Sequence, residues 1–384
     1  MTRIYIYLIL AASVSALATD MIVPALPVLQ RDLGTDYGTI QLTISGFLMI
    51  YAVSQLMSGF AGEKLGKIRI LTASFIIFLT GSIICYMAET LYMLMFGRIL
   101  QAIGAGAGPV LSRAIAKDTL PPKTLKSALS DISSASAVVP LVAPLIGGII
   151  LGHLRWNEIF LVMAAFSIIT ILSTPGGLKQ QNKNKSEQSS GNFITPEFIH
   201  GTILVSLMLS SLFCYISLSP VIFMETFSLS ALHYSVLFSA SVLLFIIGNQ
   251  FSKLERASNP FILFTLNALS LLPFLAESHS LLLCITGAMI FNFTLGAYYP
   301  TAYYIALQIK GPKTGVAASV TGFTQTVSAG SISYFAASMT ENGIGFSRML
   351  GMSAFTLAVL SIIVIIILKV TQWKTGKSAK SIAH

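Results

Sequence analysis

Leu17-Ala18-Thr19-Asp20-Met21-Ile22-Val23 places an aspartate inside the first long apolar segment of the chain. An ionised carboxylate is costly in hydrocarbon. Acids at such positions face a bundle interior or a water-filled path, where a proton, an ion or a polar substrate is handled. A second costly residue, Arg98, lies in another apolar segment. Two such charges point to transport.

Composition supports a membrane setting. The chain has 384 residues, 54% hydrophobic and 10% charged, with a mean hydropathy of +0.81. Soluble domains carry about 25% charged residues. The formal net charge is +9, but the basic residues are spread through short loops. They form no patch interleaved with aromatics, so nucleic acid is not an expected partner. Cys85, Cys214 and Cys284 lie far apart in apolar stretches and read as small buried hydrophobes. Met1-Thr2-Arg3 followed by an apolar run has the opening of a signal peptide. No small-residue cleavage site ahead of a soluble domain follows, so the first segment is read as a helix.

Apolar runs near twenty residues, the length that crosses a hydrocarbon core of about 30 Å, recur throughout. Twelve are expected, at 4–27, 40–61, 70–88, 91–113, 127–151, 157–174, 198–221, 232–251, 260–276, 280–307, 314–338 and 346–369. Their length, and the lack of ten-residue alternation, predict an all-α membrane protein rather than a barrel. With the amino terminus inside, nineteen of the 23 Lys and Arg fall on the cytoplasmic side. Arg31, Arg155 and Arg348 fall on the other, which predicts cytoplasmic termini. Residues 175–197 are polar and Gly/Ser-rich, and are expected to link a first half (1–174) to a second (198–384). Both halves carry a short basic turn after their second helix, Glu63 to Arg69 and Lys253 to Arg256. Two parallel six-helix repeats about a central cavity is the architecture of major facilitator transporters.

The motifs carry a more specific resemblance. Asp20-Met-Ile-Val-Pro24-Ala-Leu-Pro27 resembles the first-helix signature of the bicyclomycin/chloramphenicol-resistance branch of the drug:proton antiporters, within the major facilitator superfamily. Gln41-Leu-Thr-Ile-Ser45-Gly-Phe47 and Gln55 continue it. Gly59-Phe-Ala-Gly-Glu63-Lys64-Leu-Gly66-Lys67-Ile-Arg69 resembles the superfamily's loop motif, and Arg98-Ile-Leu-Gln101-Ala-Ile-Gly104 its fourth-helix motif. Pro144-Leu-Ile-Gly147-Gly148 resembles the end of the fifth-helix antiporter motif. Gly315-Val-Ala317 and Gly322-Phe323-Thr-Gln325 resemble the eleventh helix. The chain departs from these patterns where Glu63 replaces an aspartate, Lys64 and Lys67 replace arginines, Val139 replaces a glycine and Ala143 precedes Pro144. The resemblance implies a twelve-helix fold of two six-helix halves and proton-driven export of a small amphiphilic compound across a bacterial inner membrane. It implies Asp20 as the proton-coupled acid, with Arg98 and Gln101 tuning it or meeting substrate. Glu63, Lys64 and Arg69 would form a cytoplasmic latch, with Gly59, Gly66 and Lys67 in the same turn.

Helix geometry adds to this. At about 1.5 Å rise per residue Asp20 stands ~24 Å beyond Ile4, and Arg98 enters an oppositely directed helix to the same layer. A direct or water-bridged contact between them is expected. In the second half Asn292 and Gln325 lie near mid-helix with Tyr298, Tyr299 and Phe323 close by. These residues suit a mostly apolar cavity, or interhelical hydrogen bonding by the amides. Asp131, a turn into the fifth helix beside Lys126, is expected to gate or cap there. Asp118, after Arg113 and Lys117, is expected to be solvated or paired in a basic loop. Metal, nucleotide and hydrolase motifs are missing, so the expected partners are a small molecule, protons and the bilayer. No cofactor and a monomer are expected. Uptake by proton symport, or a receptor built on a transporter fold, are the rival readings. A variant with alanine at Cys85, Cys214 and Cys284 is expected to insert and transport like the parent; loss of all transport in a normally folded triple variant would refute their passive role.

Overall fold

A computed structural model describes residues 2–119, 122–174, 194–252, 259–307, 314–342 and 344–374. Fifteen α-helices are present among them. In the first part these are α1 (Thr2–Asp20), α2 (Leu26–Asp32), α3 (Tyr37–Leu65), α4 (Lys67–Tyr86), α5 (Leu91–Ala105), α6 (Ala107–Thr119), α7 (Pro122–His153) and α8 (Glu158–Leu172). In the second they are α9 (Pro196–Val221), α10 (Ala231–Phe251), α11 (Pro260–Ser270), α12 (Leu272–Leu275), α13 (Leu281–Leu307), α14 (Thr314–Ser338) and α15 (Phe346–Lys374). Each of the twelve expected segments has a helical counterpart. Three are interrupted: α1 and α2 form the first, α5 and α6 the fourth, α11 and α12 the ninth. The linker at residues 175–193 and the basic turn from Lys253 to Arg256 lie outside the described residues.

The starts of several helices are written in single residues. Asp36 caps α3 by accepting from the Thr39 amide at 2.6 Å, and Thr90 caps α5 through the Met93 amide at 3.3 Å. Thr195 and Asn259 do the same for α9 and α11, each followed by proline at the first helical position, where its missing N–H costs nothing. Gly66 ends α3 with φ of 107°, a conformation that a side chain would strain.

Apolar side chains cover the surface as well as the core. Met57, Phe60, Tyr92 and Leu172 point outward, Phe75, Phe78 and Leu204 fill the interior, and Thr43, Ser45, Ser82, Gln101 and Ser210 are buried among such residues. An apolar exterior with polar groups kept inside is what a helical bundle in lipid requires.

Contacts divide the chain into two compact units. The first contains α1 to α8 and also Leu229–Ser239 at the start of α10. Within it α1 packs on α6 and α7, α4 on α5 and α8, and α3 on α5. The α4–α5 seam is glycine-lined: a Cβ on Gly81 would lie 2.6 Å from the Gly97 carbonyl, and one on Gly104 2.5 Å from that of Ser74. Ser239 Oγ donates to the Leu141 carbonyl at 2.7 Å in α7. In the second unit α9 is central, packed on α13, α14 and α15, with α11 against α13 and α15.

Gly104→Leu is expected to overpack the α4–α5 seam and to cost about 1–3 kcal/mol. A melting temperature in detergent equal to that of the parent would contradict this packing.

Candidate transport site

The first unit holds both intramembrane charges, and the break between α1 and α2 positions them. Pro24 and Pro27 lack amide protons, so the carbonyls of Asp20 and Val23 lose their α-helical donors, and that of Val23 accepts the Leu26 amide instead. The chain responds with a turn at Met21-Ile22 and a 3₁₀ turn at Val23–Ala25 before α2 begins. Asp20 is therefore the last residue of α1. It is 7% exposed, and its carboxylate accepts the Thr19 hydroxyl at 3.1 Å. α7 seals the same break: a methyl on Gly147 would collide with the Met21 carbonyl and touch Pro24. Gly148 next to it is pressed against Ser235.

Arg98 is 1% exposed. Its Nε and Nη2 donate to the Thr43 carbonyl of α3 at 2.9 and 2.8 Å. Its Nη1 donates to the Ala18 carbonyl at 3.0 Å and to Gln101 Oε1 at 2.9 Å. The guanidinium carbon lies 4.3 Å from the centre of the Phe47 ring, a cation–π distance. The expected common layer is present, since the Ala18 carbonyl that Arg98 meets is two residues from Asp20. Among the described residues no ion pair joins Arg98 to Asp20. The guanidinium is held by backbone instead: its planar fork takes the Ala18 carbonyl near the end of α1 and the Thr43 carbonyl within α3.

Gln101 completes this arrangement. It is fully buried, with Nε2 donating to Ser82 Oγ at 2.8 Å and lying 3.5 Å from Met163 Sδ. Gln55 is half-buried and donates to the Tyr51 hydroxyl at 2.7 Å. In the second unit Asn292 is buried and bonds its own helix at Ala288 O, 2.9 Å away. Tyr298 is buried edge-on against Phe264 at 5.3 Å. Gln325 accepts the Tyr299 hydroxyl at 2.9 Å, and Phe323 is half-buried. Here the tyrosine that meets the amide is Tyr299, one position beyond Tyr298.

At the turn between α3 and α4, Lys67 is the centre. Its ammonium lies 2.8 Å from Glu63 and 2.6 Å from Asp118, with side-chain exposures of 13%, 69% and 27% respectively. Asp118 belongs to α6, not to a basic loop, and its partner is this lysine rather than Arg113 or Lys117. Gly59 and Gly62 let α3 approach Val110 and Leu111 of α6. Lys64 and Arg69 are exposed and form no ion pair among the described residues. Asp131 lies on α7, with its side chain outside the described residues. The sequence did hold a signal for Asp118: an acid closing a helix otherwise ended by Arg113 and Lys117, opposite a basic turn.

A sequence model of the Major Facilitator Superfamily matches residues 8–336. The chain belongs to this superfamily. It is 26% identical over 323 residues to the multidrug resistance protein MdtL of Escherichia coli O17:K52:H18 (strain UMN026 / ExPEC), covering 80% of this chain and 81% of that one. The MdtL of Shigella dysenteriae serotype 1 (strain Sd197) matches to the same extent. Among solved structures, an inward-facing, occupied bacterial homologue of the human lysosomal transporter Spinster aligns with a TM-score of 0.74 at 14% identity, over 99% and 98% of the two chains. A D-xylose-proton symporter aligns at 0.74 and 12%, over 94% and 97%. These likenesses establish the twelve-helix major facilitator fold, and the chain is a membrane transporter rather than an enzyme.

The Lys67–Asp118 contact generates a test. A double-mutant cycle of Lys67→Met and Asp118→Asn is expected to show a coupling of about 1–2 kcal/mol, between values for exposed and for buried pairs. Additive effects on thermal stability would mean that the contact does not brace α4 against α6.

Proposed function

We propose that this transporter exports a small amphiphilic compound across a bacterial inner membrane in exchange for protons, acting as a single chain with both termini in the cytoplasm. The observation that carries the reading is the state of Asp20. It is a carboxyl buried at a helix break, with the adjacent arginine committed to backbone carbonyls. Burial opposes the charged form of an acid, and a cation or hydrogen-bond donor favours it. A rearrangement of the α1–α2 break changes both influences at once. A carboxyl in that position takes up a proton in one conformation and gives it up in another. The multidrug-resistance name carried by the MdtL relatives supports export and a broad, amphiphilic substrate range. The symporter among the structural neighbours is related in fold alone, and the direction of proton movement on adding substrate separates the two schemes.

The Lys67 bridge to Glu63 and Asp118 lies at the α3–α4 turn, where the resemblance assigns the latch. In this reading it belongs to the cytoplasmic face and holds the first unit's inner ends together while the outer side opens.

In proteoliposomes with an imposed pH gradient, Asp20→Asn is expected to insert and to bind substrate, but to lose accumulation against a gradient and the accompanying change in lumenal pH. Wild-type accumulation with matching proton movement in that variant would remove Asp20 from the coupling step.

A further inference from the structure

In the second unit a cluster of rings and one amide is built from α10, α13 and α14. The Phe245 and Tyr299 rings lie 6.1 Å apart at 57°, and those of Tyr299 and Tyr303 6.2 Å apart at 36°. The Tyr299 hydroxyl donates to Gln325 Oε1 at 2.9 Å. Glycines hold α10 and α13 close beside the rings: a Cβ on Gly248 would collide with the Phe293 carbonyl, and one on Gly296 with that of Phe245.

Phe245, Tyr299, Tyr303 and Gln325 are all half-buried. Phe245 stands two positions from each of Leu243 and Ile247, exposed apolar residues of α10, about 200° around the helix. Tyr299 stands nine positions after the exposed Ile290 of α13, about two and a half turns on and so on the opposite side. What remains open on these two rings is therefore turned from the apolar exterior. On α14 the space is direct. A Cβ on Gly322 would meet nothing within 4 Å, and Gly322 precedes Gln325 by three residues, a spacing that makes them neighbours on the helix surface.

The helices that carry the cluster are electroneutral. α10, α13 and α14 contain no Asp, Glu, Lys or Arg along their whole length, so a ligand ion held at these rings would lose its water and gain no counter-charge. Another flat ring fits instead, in the offset or tilted arrangements that Phe245, Tyr299 and Tyr303 already adopt with one another. Gln325 supplies the polar anchor. Its Oε1 takes the Tyr299 proton, and its Nε2 carries two N–H donors for a carbonyl beside such a ring.

We infer that Phe245, Tyr299, Tyr303 and Gln325, with the open space at Gly322, form a subsite for an uncharged, flat aromatic ring bearing a carbonyl group. This names one part of the amphiphilic substrate, and rests on the export reading in so far as the ligand is carried. Its test measures binding and needs no gradient, so the two stand or fall separately. N-hexylbenzamide carries the required head. N-hexylcyclohexanecarboxamide keeps the amide and the tail and replaces only the flat ring.

In an uncharged maltoside detergent, binding is read from the rise in melting temperature as each compound is titrated. The parent is expected to bind the benzamide about three- to tenfold more tightly than the cyclohexyl compound, the range that an aromatic pair supplies. Tyr299→Leu should abolish that preference and Tyr299→Phe should keep it. Gln325→Leu should weaken benzamide binding several-fold, and Gly322→Leu, which fills the space, about tenfold or more. Phe335→Leu, at an exposed ring elsewhere on α14, should bind as the parent does. Each variant's own melting transition reports that it is folded. Equal affinity of the parent for the two compounds, a preference that survives Tyr299→Leu, or unchanged binding in Gly322→Leu would overturn the assignment. So would Tyr299-dependent binding of N-benzyl-N,N-dimethylhexylammonium tighter than that of the benzamide, which would make the rings a site for cations.

Discussion

The first unit is organised around one set of hydrogen bonds, those from Arg98 to the carbonyls of Ala18 and Thr43. A break in a membrane helix leaves carbonyl groups without amide partners where no lipid can supply one. Pro24 and Pro27 impose such a break after Asp20. A buried guanidinium is itself expensive, and an unclaimed carbonyl is too; brought together, each offsets the other's cost. The planar fork matters. It reaches two backbones and the Gln101 amide at once, and rests on the Phe47 face. A lysine, with one point charge, could not span these partners in that geometry.

That set of bonds has a mechanical corollary. α5 is held tightly to α4, since Gly81, Gly97 and Gly104 leave no space for a Cβ, and Gln101 ties it further to Ser82. The Arg98 anchor therefore sits on a stiff pair. Across from it lies a segment with a turn, a 3₁₀ turn and two prolines. The break lacks the regular helical bonds that α4 and α5 keep, so it is the less constrained of the two. Gly147 permits the α7 backbone to lie directly on that break, which ties the position of α7 to the same movable point.

Much of this was legible in the sequence. Twelve apolar runs gave twelve helical segments because hydrocarbon admits few alternatives. The common layer of Asp20 and Arg98 followed from helical rise alone. What the sequence left open was the choice among partners. Pairing by charge allowed Asp20 for Arg98, yet its acceptors are the Ala18 and Thr43 carbonyls, and backbone atoms leave no mark in a residue string. The same holds for Asp118. Counting charges along the chain sets it among Arg113 and Lys117, whereas the fold brings Lys67 to it from the start of α4. For Asn292 and Gln325 two uses stayed open, a cavity or hydrogen bonding between helices. Depth does not say which face of a helix a residue occupies; Asn292 bonds its own helix at Ala288, and Gln325 meets Tyr299.

The basic residues of the first unit are thus divided by what already holds them. Arg98 spends its donors on backbone carbonyls and one amide. Lys67 is held between two carboxylates. Neither can meet a ligand without first surrendering bonds that the bundle needs. Arg113 is exposed and forms no ion pair among the described residues. A transporter must bind and release, so its ligand contacts belong to groups whose structural bonds do not change when the ligand leaves. By that criterion Arg98 and Lys67 belong to the architecture of the first unit, held as they are by carbonyls and carboxylates.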